Sequence, residues 1–274
     1  MIIKLGLFSK ELFLFGATML VGLFSAHYYT SLAEKSSVQV SFSFGNSIFF
    51  LIFFMVLIFL MRKFRRFNSI AFKFFLLLVV FSGSQVVFGS FLSFPEDLLL
   101  AVGLVVAFTL IHNVLVHDIG IILGIAGVAS TLGITISPMV GIALLVVLSF
   151  YDILAVYWTK HMVKMAKGMI ESGAIFGFVI PFEMKDFLYH KSEASEKLGE
   201  KFMILGSGDI GLPTVFISSV AVLSIQQALI TSVFVIGGLF LTHLIFVNQK
   251  ERKPMAALPP IATMTIIGYL ISLL

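Results

Sequence analysis

Asp152 and Asp209 are the residues of this chain whose surroundings make chemistry of them. Asp152 follows Phe150-Tyr151, Asp209 closes Gly206-Ser207-Gly208-Asp209, and each lies in a run otherwise apolar enough to cross a bilayer. A carboxylate at membrane depth costs about 3 kcal/mol even on insertion scales, so it marks a functional group by default. Two carboxyls brought within a few ångströms cannot both ionise cheaply; they share a proton and titrate as a coupled pair. The ionised member can then activate water while the protonated one donates to a carbonyl oxygen. Such a pair would hydrolyse an amide with no metal and no covalent intermediate. Gly206 and Gly208 suit this role by permitting close backbone approach beside the acid. The same carboxylates equally suit a cation or proton-coupled transporter or a leak channel, and Gly206 and Ser207 also fit simple helix packing. Chemistry alone leaves these alternatives open.

The elements that must position the pair are membrane spans. The chain is 59% hydrophobic and only 12% charged, a balance that excludes a water-soluble globular domain. A span needs about 20 mainly apolar residues. That template predicts nine, at Glu11–Tyr28, Asn46–Met61, Ile70–Phe91, Asp97–Val114, Ile119–Ile136, Pro138–Thr159, Phe202–Leu223, Ala228–Val247 and Ala256–Leu274. Only His112 to Asp118 separates the fourth from the fifth, so eight spans are an alternative reading. No small-residue cleavage site follows the first span, which reads as retained. The absence of cysteine excludes disulfides and thiolate chemistry. The mild positive charge is a topology signal and implies no nucleic-acid partner.

Basic clusters at Arg62-Lys63-Phe64-Arg65-Arg66, at Lys160, Lys164 and Lys167, and at Lys250, Arg252 and Lys253 fall on one side if nine spans alternate. The positive-inside rule then places the amino terminus in the cytoplasm and the carboxyl terminus outside, with the cell membrane as the expected location. The chain divides into 1–160, six spans with Asp152; 161–201, a cytoplasmic loop; and 202–274, three spans with Asp209. Together they form one integrated membrane domain. Helix rise sets Asp152 about 10 Å and Asp209 about 12 Å from the cytoplasmic ends of their spans. The loop's first half carries a short strand-like run, Ala174 to Phe182, and its second half, Glu183 to Lys201, reads as a mobile linker. Alternation from Val38 to Phe44 gives a second, external strand candidate.

Three motifs stand in order: Tyr151-Asp152 in the sixth span, Gly206-Ser207-Gly208-Asp209 opening the seventh, and Ala256-Ala257-Leu258-Pro259 opening the ninth. Together they resemble the presenilin and signal peptide peptidase family of GxGD intramembrane aspartyl proteases, and in particular its compact archaeal members. The resemblance implies an all-α polytopic fold of nine transmembrane helices with short interfacial strands. It implies an intramembrane aspartic endopeptidase with Asp152 and Asp209 as the catalytic pair. Tyr151, Gly206, Ser207 and Gly208 would flank them, and Ala257, Leu258 and Pro259 would form the loop beside the active site. Its substrates would be transmembrane proteins or signal peptides in membrane lipid, with no cofactor; an obligate accessory subunit is not implied, and a homo-oligomer is compatible. The resemblance also suggests that the Ala174–Phe182 strand pairs with an unwound substrate. One departure is visible: Ala256 stands where the family carries proline, with Pro254, Pro259 and Pro260 close by. A prepilin-peptidase-like enzyme shares GxGD but leaves the Ala-Leu-Pro segment unexplained.

Other polar residues read more simply. His112, His117 and Asp118 could be drawn as a metal cluster, but no HExxH motif exists, and Asp118 reads as a cap of the fifth span. His243 reads as a hydrogen-bonded packing residue, Lys73 as a snorkelling cation and Glu171 as an interfacial group.

Overall fold

The computed structural model describes residues 4–36, 65–160, 166, 168–190, 197, 201–249 and 254–274. Its principal helices are α1 (Leu5–Ser36), α2 (Arg65–Gly89), α3 (Glu96–Leu110), α4 (Val114–Thr135), α5 (Pro138–Ile153), α6 (Ser207–Ala221), α7 (Ile225–Val247) and α8 (Leu258–Ser272). Two strands, β1 (Gly177–Pro181) and β2 (Phe202–Gly206), lie between α5 and α6 in sequence. The expected second span, Asn46–Met61, and the strand candidate Val38–Phe44 fall outside the described residues.

Among the described residues, five stretches are long and apolar enough to cross a membrane: Leu5–Ala33, Ile70–Gly89, Val114–Thr135, Pro138–Trp158 and Ile225–Val247. The helices α3, α6 and α8 have 15 residues each. At the rise of an α-helix that is about 22 Å, short of a hydrocarbon core of about 30 Å. The fold is therefore a mostly helical membrane protein with fewer full-length spans among its described residues than the nine expected.

Local chemistry explains where the helices start. Asn113 accepts the Val116 N–H at 2.9 Å and opens α4 at Val114, five residues before the expected start at Ile119. Asp118 is thus not the cap. Ser137 with Pro138 opens α5, and Ser224 opens α7 by accepting from Gln227 N–H. Glu96 and Asp97 sit in the first turn of α3, where the helix field favours acidic groups.

The bundle is built around α4, which packs against α1, α2 and α6. Between α2 and α4 the backbones touch, because a Cβ on Gly127 would collide with the Gly83 carbonyl oxygen. Small residues permit this approach, and close packing rather than water exclusion holds helices together in lipid.

The largest revision concerns Phe202–Gly206, expected as the start of the seventh span. These residues are β2, antiparallel to β1 from Gly177↔Gly206 to Pro181↔Phe202. The run Phe202-Met203-Ile204-Leu205 is as compatible with a buried strand as with a helix, and apolarity cannot separate the two. A partner strand decides, because it satisfies the backbone where the chain enters apolar surroundings. The strand expected within Ala174–Phe182 is β1, buried along its whole length. Beyond it, Met184–Leu188 forms a 3-10 turn that buries Asp186, so the expected linker begins with ordered structure.

Candidate active site

Asp152 sits in the last turn of α5, 7% exposed, immediately before a π-helical turn at Leu154–Trp158. Such turns widen a helix and recur at functional positions. Its Oδ2 accepts the backbone N–H of Leu258 at 3.4 Å. Asp209 sits in the first turn of α6, half-buried, and accepts a hydrogen bond from the Gly206 N–H. Asp152 acts on it electrostatically. Packing of α5 against α6 and α8 gathers the two carboxylates and the Ala-Leu-Pro loop at one end of the bundle. Helix rise does not describe the path to Asp209, since five of the residues before it are strand.

The glycines of GxGD have different surroundings. A Cβ on Gly206 would stand 3.0 Å from Asp209 Oδ2, so this position keeps space for the carboxylate. Opposite it in the sheet, a Cβ on Gly177 would strike the Leu205 carbonyl oxygen. Gly208 is exposed and faces open space. Ser207 donates its backbone N–H to Phe176 O at 3.2 Å, closing the end of the sheet. With Gly208 it lines an apolar cavity of about 250 Å³ walled by α2, α4 and α6.

Ala256, Ala257 and Leu258 are buried. Thr242 Oγ1 lies 3.4 Å from Ala257 O and 3.0 Å from Gly238 O, tying the loop to α7. Pro259 and Pro260 open α8, where fixed φ and missing N–H groups cost nothing. The loop is therefore held at both ends, with Ala256 where the family carries proline. Tyr151, next to Asp152 on α5, is 50% exposed.

The outer edge of β1 is occupied by residues not assigned to it from sequence. Antiparallel pairing directs alternate residues outward, here Gly177, Val179 and Pro181. His117 bonds Gly177 O at 3.1 Å, Asp118 Oδ1 accepts Val179 N–H at 2.9 Å, and Lys10 Nζ donates to Pro181 O at 2.9 Å. The available signal was their mere presence as polar residues in apolar runs. His112 contacts Leu110 O and stacks on His190. Among the described residues no group of three His, Cys, Asp or Glu converges as a metal site. Lys73 and Glu171 are exposed and line a cavity of about 600 Å³ with His112, His117 and His190. His243, read as a hydrogen-bonded packing residue, forms a buried pair with Glu11 at 3.0 Å.

Comparison with known proteins bears on this geometry. The family model described as "Signal-peptide peptidase, presenilin aspartyl protease" matches residues 14–274. The chain belongs to the signal peptide peptidase and presenilin family. A solved structure described as a presenilin family intramembrane aspartate protease in the C222 space group is 25% identical, with 94% of each chain covered and a TM-score of 0.59. Another, of a presenilin family intramembrane aspartate protease in the P2 space group, is 26% identical over 93% of this chain and 94% of that one, with a TM-score of 0.58. No curated protein sequence matches the chain. The presenilin family consists of intramembrane aspartic proteases, hydrolases of multi-pass membrane form. The transporter or leak-channel alternative finds no support in these matches.

Proposed function

We propose that this presenilin-family protease is an endopeptidase that hydrolyses peptide bonds inside the transmembrane segments of membrane proteins, signal peptides among them, with Asp152 and Asp209 as its catalytic pair. The observation that carries the reading is the packing of the segments that bear Asp152, Asp209 and Leu258 at one end of the bundle, with the Leu258 N–H on Asp152. One ionised carboxylate takes a proton from water as the oxygen attacks the scissile carbonyl carbon. The protonated partner donates to the carbonyl oxygen, giving a neutral tetrahedral diol. The C–N bond then breaks as a proton passes to the leaving nitrogen, and the pair returns to one shared proton. The Leu258 N–H fixes the rotamer of Asp152 in this sequence.

A transmembrane helix hides its carbonyls in internal hydrogen bonds, so the substrate must be opened before attack. Strand addition would hold the opened segment. The receiving edge is that of β2 rather than the expected Ala174–Phe182 strand, because His117, Asp118 and Lys10 engage the outer edge of β1. The pairing register turns the N–H and C=O of Ile204 away from β1. Since β2 leads directly into α6, a segment aligned on it runs toward Asp209. The orientation in keeping with the charge clusters is amino terminus cytoplasmic and carboxyl terminus outside, in the cell membrane, with the catalytic end on the cytoplasmic side.

The deciding experiment is cleavage of a single-span reporter by purified protein in proteoliposomes. Asp152→Asn and Asp209→Asn should each abolish it; persistent cleavage by either variant rejects the assignment. Ion flux through the inactive variants, compared with empty vesicles, would expose a transport function.

A further inference from the structure

Lys10 and Glu11 are neighbours in α1, both buried, and they reach different parts of the site's surroundings. Lys10 Nζ donates to Pro181 O at 2.9 Å and to Phe182 O at 2.8 Å, gripping the end of β1. Glu11 places both carboxylate oxygens 3.0 Å from His243 Nδ1 on α7. His243 is enclosed, with the Phe8 ring against it, and among the described residues nothing partners its Nε2. Glu11 is thus the polar contact that sets the ring. The preceding residue on α7, Thr242, shares its hydroxyl between Gly238 O in its own helix at 3.0 Å and Ala257 O at 3.4 Å, so the contact to the loop is the longer branch of that donor. One residue further along that loop, Leu258 N–H meets Asp152.

We propose that Lys10 and Glu11 form a positioning bracket, in which Glu11 fixes the rotation of α7 through His243 so that Thr242 holds the loop and its Leu258 N–H against Asp152, while Lys10 holds β1 at a set distance from the same loop. The helix geometry requires the fixed rotation. Adjacent side chains on α7 diverge by about 100°, so a turn of α7 that released His243 would carry the Thr242 hydroxyl away from Ala257. Both ends of the bracket are buried polar groups whose hydrogen bonds are directional. The bracket joins the sheet that leads to Asp209 with the loop that touches Asp152. Glu11, His243 and Thr242 are therefore positioning residues: they act through Leu258 and do not meet the substrate. The assignment rests on the Asp152–Asp209 reading.

The test uses the full-length enzyme in proteoliposomes, with active sites titrated by a peptide isostere carrying a secondary alcohol at the scissile position. Thr242→Val keeps volume and removes the hydroxyl; Thr242→Ser restores it. Glu11→Leu removes the acceptor for His243; Glu11→Gln keeps an oxygen there. Misplacement of a reacting group lowers turnover steeply. Per titrated site, Thr242→Val and Glu11→Leu should lose about tenfold in kcat with KM within about twofold, and Ser and Gln should recover most of it. Affinity for the alcohol isostere should fall in parallel, while affinity for an uncleavable peptide with an intact amide should hold, since only the former mimics the transition state. If Thr242→Val turns over as wild type per titrated site, the bracket is wrong, whether or not Glu11→Leu folds. Cleavage surviving in Asp152→Asn would instead overturn the dyad, and the two failures are read from separate variants.

Discussion

The backbone N–H of Leu258 and the Oδ2 of Asp152, 106 positions apart in the chain, meet at 3.4 Å. The contact joins α8 to α5 and gives the Ala-Leu-Pro loop a chemical role, that of supplying a donor from a rigid backbone to one carboxylate of the pair. A backbone donor cannot be deleted by changing its side chain, so the contact is best probed through the acids.

Asp152→Asn and Asp209→Asn should each lower single-turnover cleavage by at least about 10³-fold, the range associated with losing a general acid or base. The double variant should lose hardly more than either single one, because the two groups act as a unit. An additive double loss would show that they work independently.

Cleavage should follow a bell-shaped pH dependence with full reversibility. A single shared proton is the competent state, so at low pH both carboxyls are protonated and no base remains; at high pH both ionise and no acid remains. Activity is thus lost in both directions, with an unchanged far-ultraviolet spectrum across the window. A monotonic profile would point to one titrating acid.

Gly206→Ala puts a methyl where a Cβ stands 3.0 Å from Asp209 Oδ2. The carboxylate must give by a few tenths of an ångström, a misplacement that should lower kcat by about tenfold. Thermal unfolding should change little, since the substitution displaces one side chain and leaves the sheet ladder intact. Gly208→Ala, with open space around it, should be mild in both measurements.

Asp118→Leu removes the acceptor for the buried Val179 N–H, whereas Asp118→Asn keeps an oxygen at that place. An unsatisfied buried donor costs about 1–3 kcal/mol. The Leu variant should unfold at lower temperature than the Asn variant in detergent, and amide exchange should rise along β1. Equal stability of the two would remove the edge-sealing role.

Ile204→Pro removes an outward N–H that the β1–β2 ladder does not use. Substrate strand addition at β2 predicts a rise in KM of about tenfold for transmembrane substrates, from loss of a backbone hydrogen bond and its geometry. A KM equal to that of the wild-type enzyme would move the substrate elsewhere.

Much of the site is legible in the order of residues alone. Asp152 and Asp209 stand out because ionisable groups are rare in apolar runs, and the fixed order of YD, GxGD and ALP singles out Leu258 and its neighbours. The span template finds helices as well, since about 20 apolar residues have few other uses. The same template fails at Phe202–Gly206, where a short apolar run serves strand and helix equally and only the presence of β1 settles which forms. His117 and Asp118 escape it for a related reason. Asp118 looks like a cap beside an expected helix start at Ile119, but Asn113 has already opened α4, freeing Asp118 for Val179.

The sequence alone determined that this is a membrane protein with two carboxylates held at a cost, and which residues flank them, because composition and periodicity are local properties. Tertiary structure decided what those residues touch: Leu258 on Asp152, Gly206 beside Asp209, Glu11 on His243, and Asp118 on the outer edge of β1. Each of these joins groups whose meeting depends on helix rotation and strand register. Those are fixed by close packing of whole surfaces, such as α2 on α4 at Gly83 and Gly127, and no single stretch of chain encodes them.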